Sequence, residues 1–116
     1  MCMKFSKELV KGSTAMLVLS VLSGGAMYGY QIIKELEAAS ESAFSMNEGT
    51  LYPILHALEG EKYLEAFWEE GASARRRRYY RITEKGVKEL ERQKGEWKSF
   101  SSAIENVLRG TSRYAR

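Results

Sequence analysis

The spacing of apolar residues changes twice along this chain, and those changes limit the fold more than any other feature. Up to Leu58 the apolar positions recur at three and four residues, as Leu51, Ile54, Leu55 and Leu58 do, which is the period of a helix with one buried face. From Leu64 the period drops to two. Leu64, Ala66 and Trp68 alternate with Glu65, Phe67 and Glu69, and Tyr80 and Ile82 alternate with Tyr79 and Arg81, on either side of Glu70-Gly71-Ala72-Ser73-Ala74. This predicts a β-hairpin with a Gly-containing tip. After Thr83 the helical period returns and continues almost to the end. The fold class is therefore α+β and mainly helical: short helices, one hairpin and a long final helix.

A chain of 116 residues with 44% hydrophobic content has material for one core. Met1 to Gly12 reads as a partly helical arm anchored by Phe5, Leu9 and Val10, and Ala15 to Leu22, apolar on nearly every side, as a central buried helix ended by Ser23-Gly24-Gly25. Met27 to Ala39 reads as a second helix with Tyr28, Ile32, Ile33 and Leu36 on one face. The connection from Ser40 to Met46 is longer than a minimal turn, with room for a short extended piece at 43–46. A third helix then starts either at an Asn47 cap, with Met46 and Leu51 as a staple, or at a Ser45/Glu48 capping box. Pro53 lies beyond its first turn and either bends it or delays its regular start.

That third helix carries an unusual outer face. Gly49, Tyr52, Pro53 and His56 mix small, aromatic and hydrogen-bonding groups where a merely solvated helix has Glu/Lys pairs. Two short helices followed by one with such a face have the arrangement of a helix-turn-helix unit, and groups of this kind suit the base edges of a DNA groove. The charge agrees. The net charge is +3 from 18 basic and 15 acidic residues, and Arg75, Arg76, Arg77, Arg78 and Arg81 supply five positive charges, which leaves the rest of the chain at −2. The basic character is thus a local patch on the hairpin, placed to meet a phosphate backbone.

The last helix begins at a Thr83 cap, with Glu84 in its first turn and Ile82 and Val87 as a staple. Leu90, Trp97 and Ile104 repeat every seven residues, with Phe100 and Val107 three positions after the last two and Leu108 beside them. A seam that long needs a partner helix, and the simplest partner is the same helix of a second copy, the alternative being that it folds back on the first helix. Gln93 and Lys94 interrupt the seam, so the arm around Phe5 and Leu9 is expected to complete the interface. Two-fold symmetry would bring Trp97 near its own copy. Two facing indoles either pack as a closed core or, since indoles are rarely buried completely, leave a slot in which a planar aromatic ligand stacks against Trp97 and Phe100.

Other classes are disfavoured. One Cys and one His exclude a usual zinc site within this chain, and no metal or other cofactor is expected. There is no Gly-rich phosphate loop and no nucleophile with a base, and His56 lies on the presumed DNA face, so no catalysis is expected. The basic start and short apolar run imitate a secretory leader, but Glu8 interrupts the basic region and the run is short; no run suits a membrane span. With its single Cys, the chain is expected to be cytoplasmic.

Three segments resemble the signatures of the PadR family of bacterial transcriptional regulators: Met27-Tyr28-Gly29-Tyr30-Gln31-Ile32; Glu48-Gly49-Thr50-Leu51-Tyr52-Pro53 through Leu58-Glu59; and Arg76-Arg77-Arg78-Tyr79-Tyr80-Arg81-Ile82-Thr83-Glu84-Lys85-Gly86. The short end with Glu96-Trp97 resembles the small subfamily that has one C-terminal dimerisation helix. The resemblance implies a winged helix-turn-helix DNA-binding domain with its arm over 1–82, and a dimerisation helix with a basic tail over 83–116. It implies a homodimeric repressor on a pseudo-palindromic double-stranded operator, released by a small planar or phenolic ligand. Tyr52 and His56 become recognition contacts, flanked on their helix by Asn47, Gly49, Thr50 and Pro53; Tyr28 becomes a contact from the second helix, and Arg76 to Arg78 wing contacts, with Arg75 expected beside them from the charge run. The sequence departs from the family at Gly60-Glu61-Lys62-Tyr63, where the family more often has Glu-Lys-Glu-Gly, so the end of the recognition helix is the doubtful point. The alternative function is a winged helix used only to bind protein, against which the arginines count.

Overall fold

A computed structural model describes residues 5–70 and 76–111. In chain order the elements are α1 (Lys7–Lys11), α2 (Thr14–Leu22), β1 (Met27–Tyr28), α3 (Gly29–Ala39), α4 (Glu48–Gly60), β2 (Leu64–Glu70), β3 (Arg76–Ile82) and α5 (Glu84–Thr111). The core is a single cluster. Val18, Leu19 and Leu22 of α2 meet Ile32 and Leu36 of α3, Leu51, Leu55 and Leu58 of α4, Leu64 and Tyr80 of the hairpin, and Leu90 of α5. The helical and hairpin periods thus each deliver one face to the same interior.

Three local readings are revised. Met27 and Tyr28 are not helical: they form a two-residue strand antiparallel to β3, Met27 opposite Tyr80 and Tyr28 opposite Tyr79, which makes the hairpin a three-stranded sheet of order β1-β3-β2. The Tyr28 N–H then donates to Gln31 Oε1 at 3.1 Å and so helps to start α3 at Gly29. Residues 43–46 form no strand. Instead α3 closes with Glu41 and Ser42 at φ 52° and 67°, and the Ser42 N–H reaches back to the Glu37 carbonyl at 2.8 Å. Pro53 lies inside a helix that runs unbroken from Glu48 to Gly60. Its ring removes one hydrogen bond to the Gly49 carbonyl, but both residues are exposed, so water can satisfy that oxygen.

The structure also decides between the two caps of α4. Asn47 Oδ1 accepts from the Thr50 N–H at 2.9 Å, while Met46 and Leu51 on either side of the first turn are both buried. At the other end Lys62 is held at φ 69°, with the Lys62 and Tyr63 N–H groups donating to the Glu59 and Leu58 carbonyls at 3.0 Å. This is a complete left-handed helix closure built on a residue that pays for it in backbone strain.

α5 is joined to the body by Thr83. Its hydroxyl donates to the Lys62 and Tyr63 carbonyls, at 2.7 and 3.1 Å, and accepts the Gly86 N–H at 3.0 Å. Gly86 is needed there because a Cβ would overlap the Tyr63 carbonyl oxygen and stand 2.8 Å from Ile82 Cγ1. Beyond Gln93 every residue of α5 to Phe100 is exposed. Among the described residues no helix is long and apolar enough to cross a membrane.

Candidate nucleic-acid interface

α4 and the wing formed by β2 and β3 enclose a groove of about 630 Å³, lined by Tyr28, Glu48, Tyr52, His56, Trp68 and Arg76 to Arg78, with Tyr30 and Tyr80. Three parts of the sequence read separately are thereby brought together: the first turns of the third helix, the arginine run and the tyrosine before α3. On α4, Asn47, Gly49, Pro53 and His56 are exposed. Tyr52 is half-buried, and its ring stands 6.3 Å from that of His56. The Tyr52 hydroxyl lies over the start of α3, where a Cβ on Gly29 would come within 2.5 Å of it. Only glycine lets Tyr52 lie in this position. Thr50 is placed elsewhere, in a cleft of about 330 Å³ with Lys7, Val10 and Lys11 of the arm and Ile54.

The hairpin register divides the arginines between two faces. Trp68 pairs with Arg78 and Glu70 with Arg76 on the face that continues from Leu64, Ala66 and Tyr80, whereas Glu69 pairs with Arg77 on the other. Trp68, expected in line with the buried set, is 54% exposed because the core ends before it; Arg76 and Arg78 lie over its ring, at 5.1 and 5.7 Å. On the opposite face Arg77 covers Tyr28 at 4.5 Å, Tyr28 meets Tyr79 edge-on at 5.4 Å, Tyr79 stacks on Phe67 at 5.7 Å, and Arg81 covers Phe67 at 4.8 Å while paired with Glu65. Arg76 and Arg77 are thus cations held on aromatic rings, with no carboxylate partner among the ion pairs of the described residues. Arg75 lies outside the described residues.

Arg78 differs. Its Nη2 donates to Glu59 Oε2 of α4 at 2.9 Å. Beneath this pair, burial pushes the Tyr80 phenol above its usual range, opposed by the Arg78 charge and reinforced by that of Glu59. Glu59, Trp68, Tyr30 and Glu48 were not singled out from the sequence. Trp68 becomes legible once the hairpin register sets it opposite Arg78, but Glu59 gives no signal without the packing of α4 on the sheet.

The residues expected at a dimer seam separate into two groups. Leu90 is buried in the chain's own core, whereas Phe5, although its ring stands 5.8 Å from that of Phe44, is 43% exposed. Leu9, Trp97, Phe100, Val107 and Leu108 are exposed by 52% or more and Ile104 by 43%. Phe100, Ala103, Ile104, Val107 and Leu108 line a shallow groove of about 280 Å³ on α5.

Helices α2, α3 and α4, with a hairpin wing beside α4 and a groove between the two, make a winged-helix fold. The chain belongs to the PadR-like family of transcriptional regulators, whose family model matches residues 18–92. A transcriptional regulator from Clostridium thermocellum is 30% identical, with a TM-score of 0.79 over 85% of this chain and 96% of that one. A PadR family regulator from Eggerthella lenta is 32% identical, with a TM-score of 0.76 over 87% of this chain and 86% of that one. The transcriptional regulator YqjI of Escherichia coli is 28% identical over 69% of this chain, which spans only 37% of that longer protein.

Proposed function

We propose that this chain binds double-stranded DNA as a homodimeric repressor. The observation that carries the reading is the groove in which Tyr52 and His56 of α4 face Arg76 and Arg77 of the wing. α4 enters the major groove, where His56 and Tyr52 read base edges, while Asn47, Gly49 and Pro53 allow close approach. The wing cations, held upright on Tyr28 and Trp68, meet the flanking phosphates. Residues 1–82 with the first turns of α5 make the DNA-binding unit, and α5 beyond Gln93 makes the dimer through Trp97, Phe100, Ile104, Val107 and Leu108, with Leu9 and Phe5 of the arm at its edge. A planar or phenolic ligand stacking against Trp97 and Phe100 would change the angle between the two α5 helices and so release the operator.

The test is an anisotropy titration of labelled duplexes from the DNA flanking the gene, repeated over a range of salt. Binding with log K falling linearly in log salt is expected, with a slope of about −0.9 for each phosphate neutralised. No binding to any duplex, at low salt included, would leave a protein-binding winged helix instead.

A further inference from the structure

Among the described residues, one ion pair joins the wing to α4: Arg78 to Glu59. Its surroundings continue it in both directions. The Arg78 guanidinium lies 5.9 Å from the ring centre of Tyr80, which is fully buried, and 5.7 Å from that of Trp68, whose ring is in turn covered by Arg76 at 5.1 Å. The Arg78 Nε is buried and has no hydrogen-bond partner. A carboxylate, a guanidinium, an indole and a second guanidinium thus form a stack that begins on the recognition helix and ends near the tip of the wing.

We infer that Glu59 and Arg78 act as a strut: Arg78 is a positioning residue that fixes the wing against α4, and Arg76 and Arg77 are the cations that the wing presents to DNA. The inference rests on the DNA-binding reading, but the strut itself exists in the free protein. Two arguments separate it from the simpler view that all three arginines meet phosphates. The charge of Arg78 is already balanced by Glu59, so its transfer to a phosphate would strand a carboxylate that is only 31% exposed beside the Tyr80 ring. Arg78 and Arg76 also share the Trp68 ring, at 5.7 and 5.1 Å from its centre, so a guanidinium held there by Glu59 limits how the ring can turn under Arg76.

The strut makes a prediction of opposite sign to simple electrostatics. Glu59→Gln removes a negative charge from the groove. If Glu59 only held Arg78 back from DNA, the variant would bind more tightly and gain about 0.9 in salt slope. The strut predicts about fivefold weaker binding, the loss expected for an ion pair worth about 1 kcal/mol, with the slope unchanged. Arg78→Ala should lose a similar factor, again at unchanged slope, and the double variant should be no worse than either. Arg76→Ala, by contrast, should lower the slope by about 0.9.

In a Trp97→Phe parent, Trp68 is the sole indole, and its fluorescence anisotropy reports wing order without DNA. Glu59→Gln should lower that anisotropy relative to the parent. Tighter binding by Glu59→Gln, or a slope reduced by Arg78→Ala, would overturn the assignment. Unchanged Trp68 anisotropy in Glu59→Gln would overturn it whether or not any duplex binds, whereas loosening in a protein that binds no duplex would keep the strut and sink only the DNA-binding reading.

Discussion

The exposed faces of α4 and α5 differ in chemistry. On α4, Tyr52 and His56 line a groove shared with Arg76 to Arg78, and Asn47, Gly49 and Pro53, small or hydrogen-bonding, are exposed as well. On α5 the exposed residues include Trp97, Phe100, Ile104 and Val107, large and apolar, at the spacing of a seam. A face of the first kind gains from a hydrated polyanion whose edges it can read; one of the second kind gains only by leaving water. On the proposed reading, the difference gives each helix its own partner, DNA for α4 and a second α5 for α5.

The sharpest way to break that comparison is to make the second face resemble the first. Phe100→Glu with Ile104→Glu should give a folded monomer in sedimentation and lower operator affinity by at least about 100-fold, because the two half-sites are no longer held by one particle. A stable dimer would mean that the interface lies elsewhere.

The next effect belongs to α4. His56→Ala should cost about 2 kcal/mol on the operator and less on random duplex, as expected for a residue that reads bases. Gly29→Ala should act on the same site indirectly, by pushing the Tyr52 hydroxyl into the groove, so it should lower operator affinity while the melting temperature changes little. Equal losses on both duplexes for His56→Ala would reduce it to a positioning role.

A smaller effect tests where the recognition helix ends. Lys62→Gly should stabilise the fold by about 1 kcal/mol in urea unfolding, since it removes the left-handed strain of a side-chain-bearing residue. The smallest concerns α5 where it leaves the body. The Arg92 guanidinium and the Gln93 amide hold the Glu89 carboxyl down from 4.5 to about 2. A lowered carboxylate contributes stability that is complete above the unfolded value of 4.5 and is lost as pH falls from there towards 2. Arg92 is more than half exposed, so the contribution is about 0.5 kcal/mol, and Glu89→Gln should flatten the acid limb of stability by that amount and no more.

Much of this was readable in the residues because it rests on periodicity. The buried face of α4, the hairpin and the long last helix follow from spacing, while the Asn47 cap was one of two that the local side chains allowed until the structure chose it. The parts that were not readable depend on partners distant in sequence. β1 is two residues long and exists only through Tyr79 and Tyr80, some fifty positions later. Leu90 fits the heptad as well as Trp97 does, yet it is claimed by the core because α5 lies against α2 at that point, a fact no spacing contains. Arg78 looks like its neighbours in the run, and only the approach of Glu59 sets it apart.

Hydroxyl-radical footprinting of the operator tests the central claim most directly. If two α4 helices are presented by one α5-linked dimer, the protein should protect two patches on one face of the duplex, centred about 34 Å or a multiple of one turn apart, with flanking protection that disappears when Arg76 and Arg77 are replaced together by Ala. A single protected patch, or two patches out of phase with the helical turn, would contradict it.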